Sequence, residues 1–464
     1  MHDLRRQALE SGKTVSRKAR SKPSSAVSSR GNSAPNSRAA SRNPSRNVSD
    51  DEEGNLSDGT AWSQCLYVFE TLRLTHHGST NSIDDMIMSE DADAPPDAWR
   101  MELSDRMEQI IDRKRSSVQG REESLSAYTH IITAQFAQPE IHSKLGELVP
   151  ALLKSVKGGA SEKETVVALK ALAVTLITDP SDTIYDAVYQ SLKQTISDSE
   201  STLAKIAAIH TLGTATFYGG ASEEETQDVM DYLLEIIESD GNSVDAADNG
   251  EVVTAALEEW GFLATQLEDM EDSTEPAMDA FVEQLESSDP SVQIAAGENI
   301  ALLYEKSHTE LEDDEDAPPN DSDSDSDASS ASDPNAPVMV KRYTVYRRED
   351  QLKHTLESLA NLSTRRLSKK DKKSLHTNFA DILNSVANPT RGPRYQNAVN
   401  QETGKRYGSR MTVRIHKAGE MRIDRWWKLH RLKALRRVLQ GGFVNHYEHN
   451  EVVFDSLPIM IARK

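Results

Sequence analysis

From Trp99 to His308 the apolar residues recur at three- and four-residue spacing. Leu145, Leu148, Leu152, Leu153 and Val156 are one example, and each such run places one apolar stripe on a helix. Turn-forming residues interrupt the pattern at Gly158-Gly159, Asp179-Pro180, Gly219-Gly220, Gly241-Asn242 and Asp289-Pro290. Ser161 with Glu164, and Ser222 with Glu225, have the spacing of capping boxes at helix starts. The pattern predicts helix pairs over 140–157 with 161–178, 181–197 with 200–218, 221–239 with 248–268, and 274–288 with 290–307. Pair starts lie 41, 40 and 53 residues apart, and the long third interval fits an inserted loop from Asp240 to Gly250. A two-helix unit with a period of about 40 residues is the spacing of armadillo or HEAT repeats, in which each unit buries its stripe against its neighbours. The expected fold is all-α: an armadillo/HEAT-like helical-repeat solenoid with a mainly helical basic C-terminal region and a disordered tail and linker. Strict sequence repeats are not visible, so an ordinary helical bundle is the alternative.

Beyond the repeats, residues 346–388 predict two helices, one striped by Leu352, Leu356 and Leu359, the other by Leu375, Phe379, Ile382, Leu383 and Val386. After a loop at Pro389 to Pro393, Met411, Val413 and Ile415 alternate with Thr412, Arg414 and His416, a strand ended by Gly419. Met421 to Leu439 then reads as a helix closed by Gly441-Gly442. At about 100° per residue, Ile423, Trp427, His430, Ala434 and Val438 form one narrow stripe. Leu429, Leu432, Leu435 and Leu439 lie on the far side, and seven cations fill the arcs between. Such a helix suits contact on more than one side, with phosphates among its neighbours.

Charge changes the picture by dividing the chain. The net charge of -22 combines a basic start (residues 1–46, 11 Lys/Arg against 2 acids), an acidic middle (47–340, 15 against 62) and a basic end (341–464, 27 against 11). Residues 1–59 have too few large apolar side chains to offset ordering entropy and read as a disordered Ser/Arg-rich tail. The expected organisation continues with a weakly ordered acidic segment at 60–98, the repeat domain at 99–308, an acidic disordered linker at 309–338 and the basic region at 339–464. Residues 309–337 hold 11 acids and no Lys or Arg, and Ser322, Ser324 and Ser326, alternating with Asp, are candidate phosphorylation sites. The single cysteine excludes an internal disulfide framework and a Cys-based zinc cluster. No run of about 18 apolar residues supports a membrane span. Cytosol or nucleus is the expected location.

The candidate chemistry is binding. Trp426 and Trp427 offer faces for unpaired bases, and with Arg422, Arg425, Lys428, Arg431, Lys433, Arg436 and Arg437 they form a candidate RNA-contacting set. The alternative is that the tryptophans are core residues and the charges a solvated face. A second cluster, Arg365, Arg366, Lys369, Lys370, Lys372 and Lys373, reads as an import signal, a phosphate-contacting patch or a solvated turn. His446 and His449 lack a further ligand set, so no metal is expected. No nucleophile elbow, zincin motif or dinucleotide fingerprint occurs, so neither an enzyme, a cofactor nor a small-molecule substrate is expected.

Several runs carry a resemblance: Leu257-Glu258-Glu259-Trp260-Gly261-Phe262-Leu263, Ala296-Gly297-Glu298-Asn299-Ile300-Ala301-Leu302-Leu303-Tyr304-Glu305, Arg422-Ile423-Asp424-Arg425-Trp426, and Leu439-Gln440-Gly441-Gly442-Phe443-Val444-Asn445-His446-Tyr447-Glu448-His449-Asn450. Together they resemble the interferon-related developmental regulator family, with an armadillo-like N-terminal region and a separate C-terminal block. The resemblance implies either a transcriptional co-regulator acting through chromatin-modifying partners, or a factor that occupies inactive ribosomes through C-terminal helical elements. The Ser/Arg tail, the acidic linker and the tryptophan doublet depart from the family pattern. The leading expectation is a translation regulator that binds ribosomes or other RNA through the basic helix and protein through the solenoid. The rival is a nuclear scaffold for transcription.

Overall fold

The computed structural model describes residues 98–114, 116–311, 339–361, 369–399, 406–416 and 419–458. The Ser/Arg-rich tail, residues 60–97, Ser322, Ser324, Ser326, Arg365 and Arg366 lie outside the described residues.

The periodic region folds as helix pairs: α1 (Ala98–Ile111) with α2 (Val118–Ala134), α3 (Leu145–Gly158) with α4 (Glu162–Thr178), and α5 (Ile184–Asp198) with α6 (Thr202–Tyr218). Then come α7 (Glu223–Glu238) with α8 (Gly250–Ala264) and α9 (Glu271–Gln284) with α10 (Pro290–Lys306). Ser117, Ser161, Ser201, Ser222, Asn249 and Asp289 each accept a backbone N–H of the turn they open, which satisfies one of the donors a helix start leaves free. The Ser222–Glu225 box is complete. At Ser161 only half forms. The Glu164 carboxylate turns to the Ala160 N–H at 3.2 Å and to Arg121, whose Nε lies 2.8 Å away.

The helices sort into two layers. The even-numbered helices α2, α4, α6, α8 and α10 pack in succession, and α1, α3 and α5, then α7 and α9, line the other side. The layers differ in how much of each helix they bury. Helix α4 buries residues around its whole circumference, from Val166 and Ala168 to Leu176 and Ile177, whereas α5 buries one stripe of Ile184, Val188, Leu192 and Ile196. A helix apolar on all sides requires cover on all sides. The even layer is therefore sandwiched, and its second face awaits a partner element.

The acidic run does not end the array. Strand β1 (His308–Glu310) pairs antiparallel with β2 (Met339–Lys341), His308 opposite Lys341, and a further pair follows. Helices α11 (Glu349–Ala360) and α12 (Lys369–Ala387) pack on each other, and α12 extends the even layer beside α10. Leu352, Leu356, Leu375, Phe379, Ile382 and Val386 are buried, so the two predicted stripes are repeat stripes. The elements on either side of residues 312–338 thus pack on one another through α10, α11 and α12.

Two antiparallel hairpins come next: β3 (Tyr395–Val399) with β4 (Arg406–Ser409), and β5 (Thr412–His416) with β6 (Gly419–Arg422). Here the structure corrects the sequence reading. Gly419 begins a return strand, Met421 pairs with Val413, and both side chains are buried. The basic helix, α13, spans Trp426–Leu439, five residues shorter at its start than the predicted Met421 to Leu439. Short helices α14 (Phe443–His449) and α15 (Glu451–Ser456) complete the described chain.

Candidate functional site

Helix α13 is the missing cover. It packs against α10, α8, α4 and α2 of the even layer. Both of its apolar stripes are consumed: Leu429, His430, Leu432, Ala434, Leu435, Val438 and Leu439 are buried.

Its start is held by a side chain from far upstream. Arg425 provides no side-chain cap, and the Glu305 carboxylate at the end of α10 takes that place. The Trp426 N–H donates to Glu305 Oε2 at 2.8 Å and the Trp427 N–H to Oε1 at 3.2 Å. A carboxylate there also meets the positive end of the helix dipole. Burial nevertheless pushes the Glu305 carboxyl up to about 7, against the pull of the two N–H groups. Trp426 is 2% exposed, and its indole N–H donates to Ser385 Oγ on α12 at 2.8 Å.

Further along, the cations of α13 meet carboxylates of the even layer. Lys433 Nζ lies 2.6 Å from Glu298 Oε1. Arg437 pairs with Glu258 at 2.9 Å and also contacts Glu259. His210 Nδ1 sits 2.8 Å from Glu259 Oε1 and 2.9 Å from Arg437 Nη1. Burial pushes Glu259 up to about 7 against the opposing Arg437 charge, and burial together with Arg437 pushes His210 down to about 3. His430, beneath Lys433, is likewise held down to about 3, chiefly by burial. Arg431 lies between two rings, 5.2 Å from the Phe217 centroid and 5.0 Å from that of Trp427, and donates to the Thr265 hydroxyl and carbonyl at 2.9 Å. Gly261 of α8 permits the close approach of α13 at His430, because a side chain there would collide with Asn299 and the His430 ring.

The last residues serve the C-terminal ends of the even helices, where orphan carbonyls need donors. His446 Nε2–H donates to the Ile132 carbonyl at 2.9 Å, Asn445 to Ala134 at 2.7 Å and Asn450 to Ile177 at 2.8 Å. Gly442 sits so close to the Thr133 carbonyl that any Cβ would strike backbone. The Leu257–Leu263, Ala296–Glu305, Arg422–Trp426 and Leu439–Asn450 runs therefore converge on one intramolecular seam.

The nine residues expected to contact RNA accordingly divide. Trp426, Arg431, Lys433 and Arg437 are committed to the seam, where their neighbours are carboxylates, rings and hydroxyls of the same chain. Lys428 pairs with Asp424 at 2.6 Å, and Arg436 lies over the Phe443 ring at 5.4 Å. Trp427 is half-buried, Arg425 reaches the Thr390 carbonyl at 3.5 Å, and Arg422 is exposed. In the second cluster Lys369 and Lys370 begin α12, while Lys372 is half-buried and Lys373 exposed in its first turns.

Sequence reasoning passed over the hairpins. Arg410 lies 5.3 Å from the Tyr407 ring centroid and donates to Gln396 Oε1 at 3.2 Å. Arg422 donates to the Tyr407 carbonyl at 3.1 Å, and Arg391 lies 5.1 Å from the Tyr395 centroid. The segment's composition was the available signal: residues 391–422 hold 8 Lys/Arg against 2 acids, with both tyrosines interspersed.

Among the described residues no group of His, Cys, Asp and Glu has the arrangement of a metal site, and no helix is long and apolar enough to cross a membrane. An uncharacterized protein of Schizosaccharomyces pombe is 27% identical over 352 residues, which are 75% of this chain and 72% of that protein. The family model described as interferon-related developmental regulator matches residues 73–387, from ahead of α1 to the end of α12 and including the Leu257–Leu263 and Ala296–Glu305 runs. That match spans more than half of the chain, and the chain belongs to the interferon-related developmental regulator family.

Proposed function

We propose that this family member is a non-enzymatic regulator of translation that associates with ribosomes or other RNA through its C-terminal region and with protein through its repeat layers. The observation that carries this reading is the uneven balance of charge in the basic end. Residues 341–464 hold 27 Lys/Arg against 11 acids, and carboxylates of the even layer neutralise only part of that surplus, at Lys433 and Arg437. The guanidinium groups of Arg391, Arg410 and Arg422 have no carboxylate within ion-pair distance among the described residues, and such a surface attracts a polyanion in a salt-dependent way. With α13 covering the even layer, the odd-numbered helices are the face offered to a protein partner.

The test is a sucrose gradient of cell extract at low and high salt, probed for this protein. Co-sedimentation with ribosomal particles at low salt that is lost at high salt supports the reading. A protein that stays at the top of both gradients and accumulates in nuclei contradicts it and favours a transcriptional scaffold, with the Lys369 to Lys373 segment serving import. Charge reversal at Arg431 and Arg437 is unsuitable for this test, because it breaks the seam.

A further inference from the structure

We propose that the β3–β6 hairpin pair is a docking surface for single-stranded RNA, with Arg391, Arg410 and Arg422 meeting phosphates and the Tyr407 ring stacking on an unpaired base. The inference rests on the reading above and places the RNA contact on the hairpins, away from α13.

Three observations carry it. The first is where charge is matched. On α13 two of the cations in the seam have carboxylates, Lys433 with Glu298 and Arg437 with Glu258 and Glu259, and Arg431 is enclosed by the Phe217 and Trp427 rings and Thr265. Arg391, just ahead of β3, and Arg410 and Arg422 on the hairpins have none among the described residues, and their side-chain contacts are to rings, the amide oxygens of Asn384 and Gln396 and a backbone carbonyl. Arg414 is left out of the set because Glu420 stands opposite it in the β5–β6 register.

The second is the rings. Tyr407 is 40% exposed, one of few large apolar side chains so placed among the described residues. The Arg410 plane beside it, fixed by Gln396, adds a second flat cationic face. Base stacking on such faces tolerates any sequence but needs bases free of a duplex.

The third is rigidity. Val413, Ile415, Met421 and Ile423 are buried beneath the strands, and Ser409 Oγ donates to the Ile423 carbonyl at 2.8 Å, which ties β4 to the chain beyond β6. A surface held this way loses little entropy on binding.

The experiment is fluorescence anisotropy of labelled oligouridine with the full chain across a salt series. Wild type is expected to bind the single strand more tightly than an RNA duplex of equal length. Arg410→Glu with Arg422→Glu is expected to weaken binding about tenfold or more and to lower the slope against log salt by about 1.4, at about 0.7 per phosphate contact. Tyr407→Ala is expected to lose about fivefold and Tyr407→Phe to lose little. Equal thermal melting of wild type and variants confirms that the seam is intact, and Arg410→Gln with Arg422→Gln replaces any variant that misfolds. Unchanged affinity in the arginine variants overturns the hairpin assignment while leaving RNA association standing. Failure of wild type to bind oligouridine, with binding instead to a peptide of residues 309–337 that depends on Arg410 and Arg422, overturns it in favour of an acidic protein ligand. Loss of both oligouridine binding and ribosomal co-sedimentation removes the underlying reading as well.

Discussion

The Glu305 carboxylate caps the helix that begins at Trp426, accepting the Trp426 N–H at 2.8 Å across 121 positions of sequence. A helix whose own N-cap residue is arginine thereby gets its cap only when it is docked, so folding of the C-terminal segment and closure of the even layer are one event.

Replacing Glu305 by Ala removes that cap and two hydrogen bonds, and the expected loss is about 2 kcal/mol in urea unfolding. Glu305→Gln keeps one acceptor and is expected to lose about half as much. Equal stability of all three proteins would show that α13 is held without the cap.

The Lys433–Glu298 pair predicts an asymmetry between breaking and swapping. Lys433→Glu places two carboxylates together in a buried site and is expected to cost about 3–5 kcal/mol, as losses of a buried partner do. Combining it with Glu298→Lys restores opposite charges at the same place and is expected to recover more than half of that loss. A double variant no more stable than the single one would deny the pairing.

Acidity should act on the seam in a defined direction. Glu259 and Glu305, pushed up to about 7 from an ordinary value near 4.5, hold protons in the folded chain that the unfolded chain has released. Their contribution is full below pH 4.5 and is lost as pH rises through 7. His210 and His430, held down to about 3, act oppositely, costing stability only as pH falls below their unfolded value of about 6.5. Between pH 6.5 and 8 the carboxylates therefore dominate, and Tm is expected to be higher at 6.5 than at 8. Glu259→Gln and Glu305→Gln should each narrow the difference. A wild-type Tm that is higher at pH 8 would refute this assignment.

How much of this was legible follows from what sequence periodicity encodes. The pairs from α3 to α10 were readable because each helix shows its own stripe and each gap holds Gly, Pro, Asn or Asp. The circumferential burial of α13 was also readable from its two apolar stripes. Its partners were not, because a helical wheel gives the face of Lys433 and Arg437 but not the carboxylates opposite, which lie more than a hundred positions upstream. A clue stood in the sequence nonetheless. Glu259 and Glu298 interrupt otherwise apolar surroundings, and a carboxylate in such a place needs a cation. The acidic run concealed the continuation of the array because its charge marks a linker, while the β1–β2 pairing that closes it rests on three residues per strand. At the hairpins, the strand Gly419–Arg422 is not legible, since four residues are too few for alternation to register.

Amide hydrogen exchange over Trp426–Leu439 reports whether the basic helix is the inner lining of the repeat array. These amides are expected to exchange as slowly as those of α8 and α10, and protection is expected to fall together across all three in Glu305→Ala. Fast exchange over α13 in the wild-type chain, with α8 and α10 still protected, would contradict it.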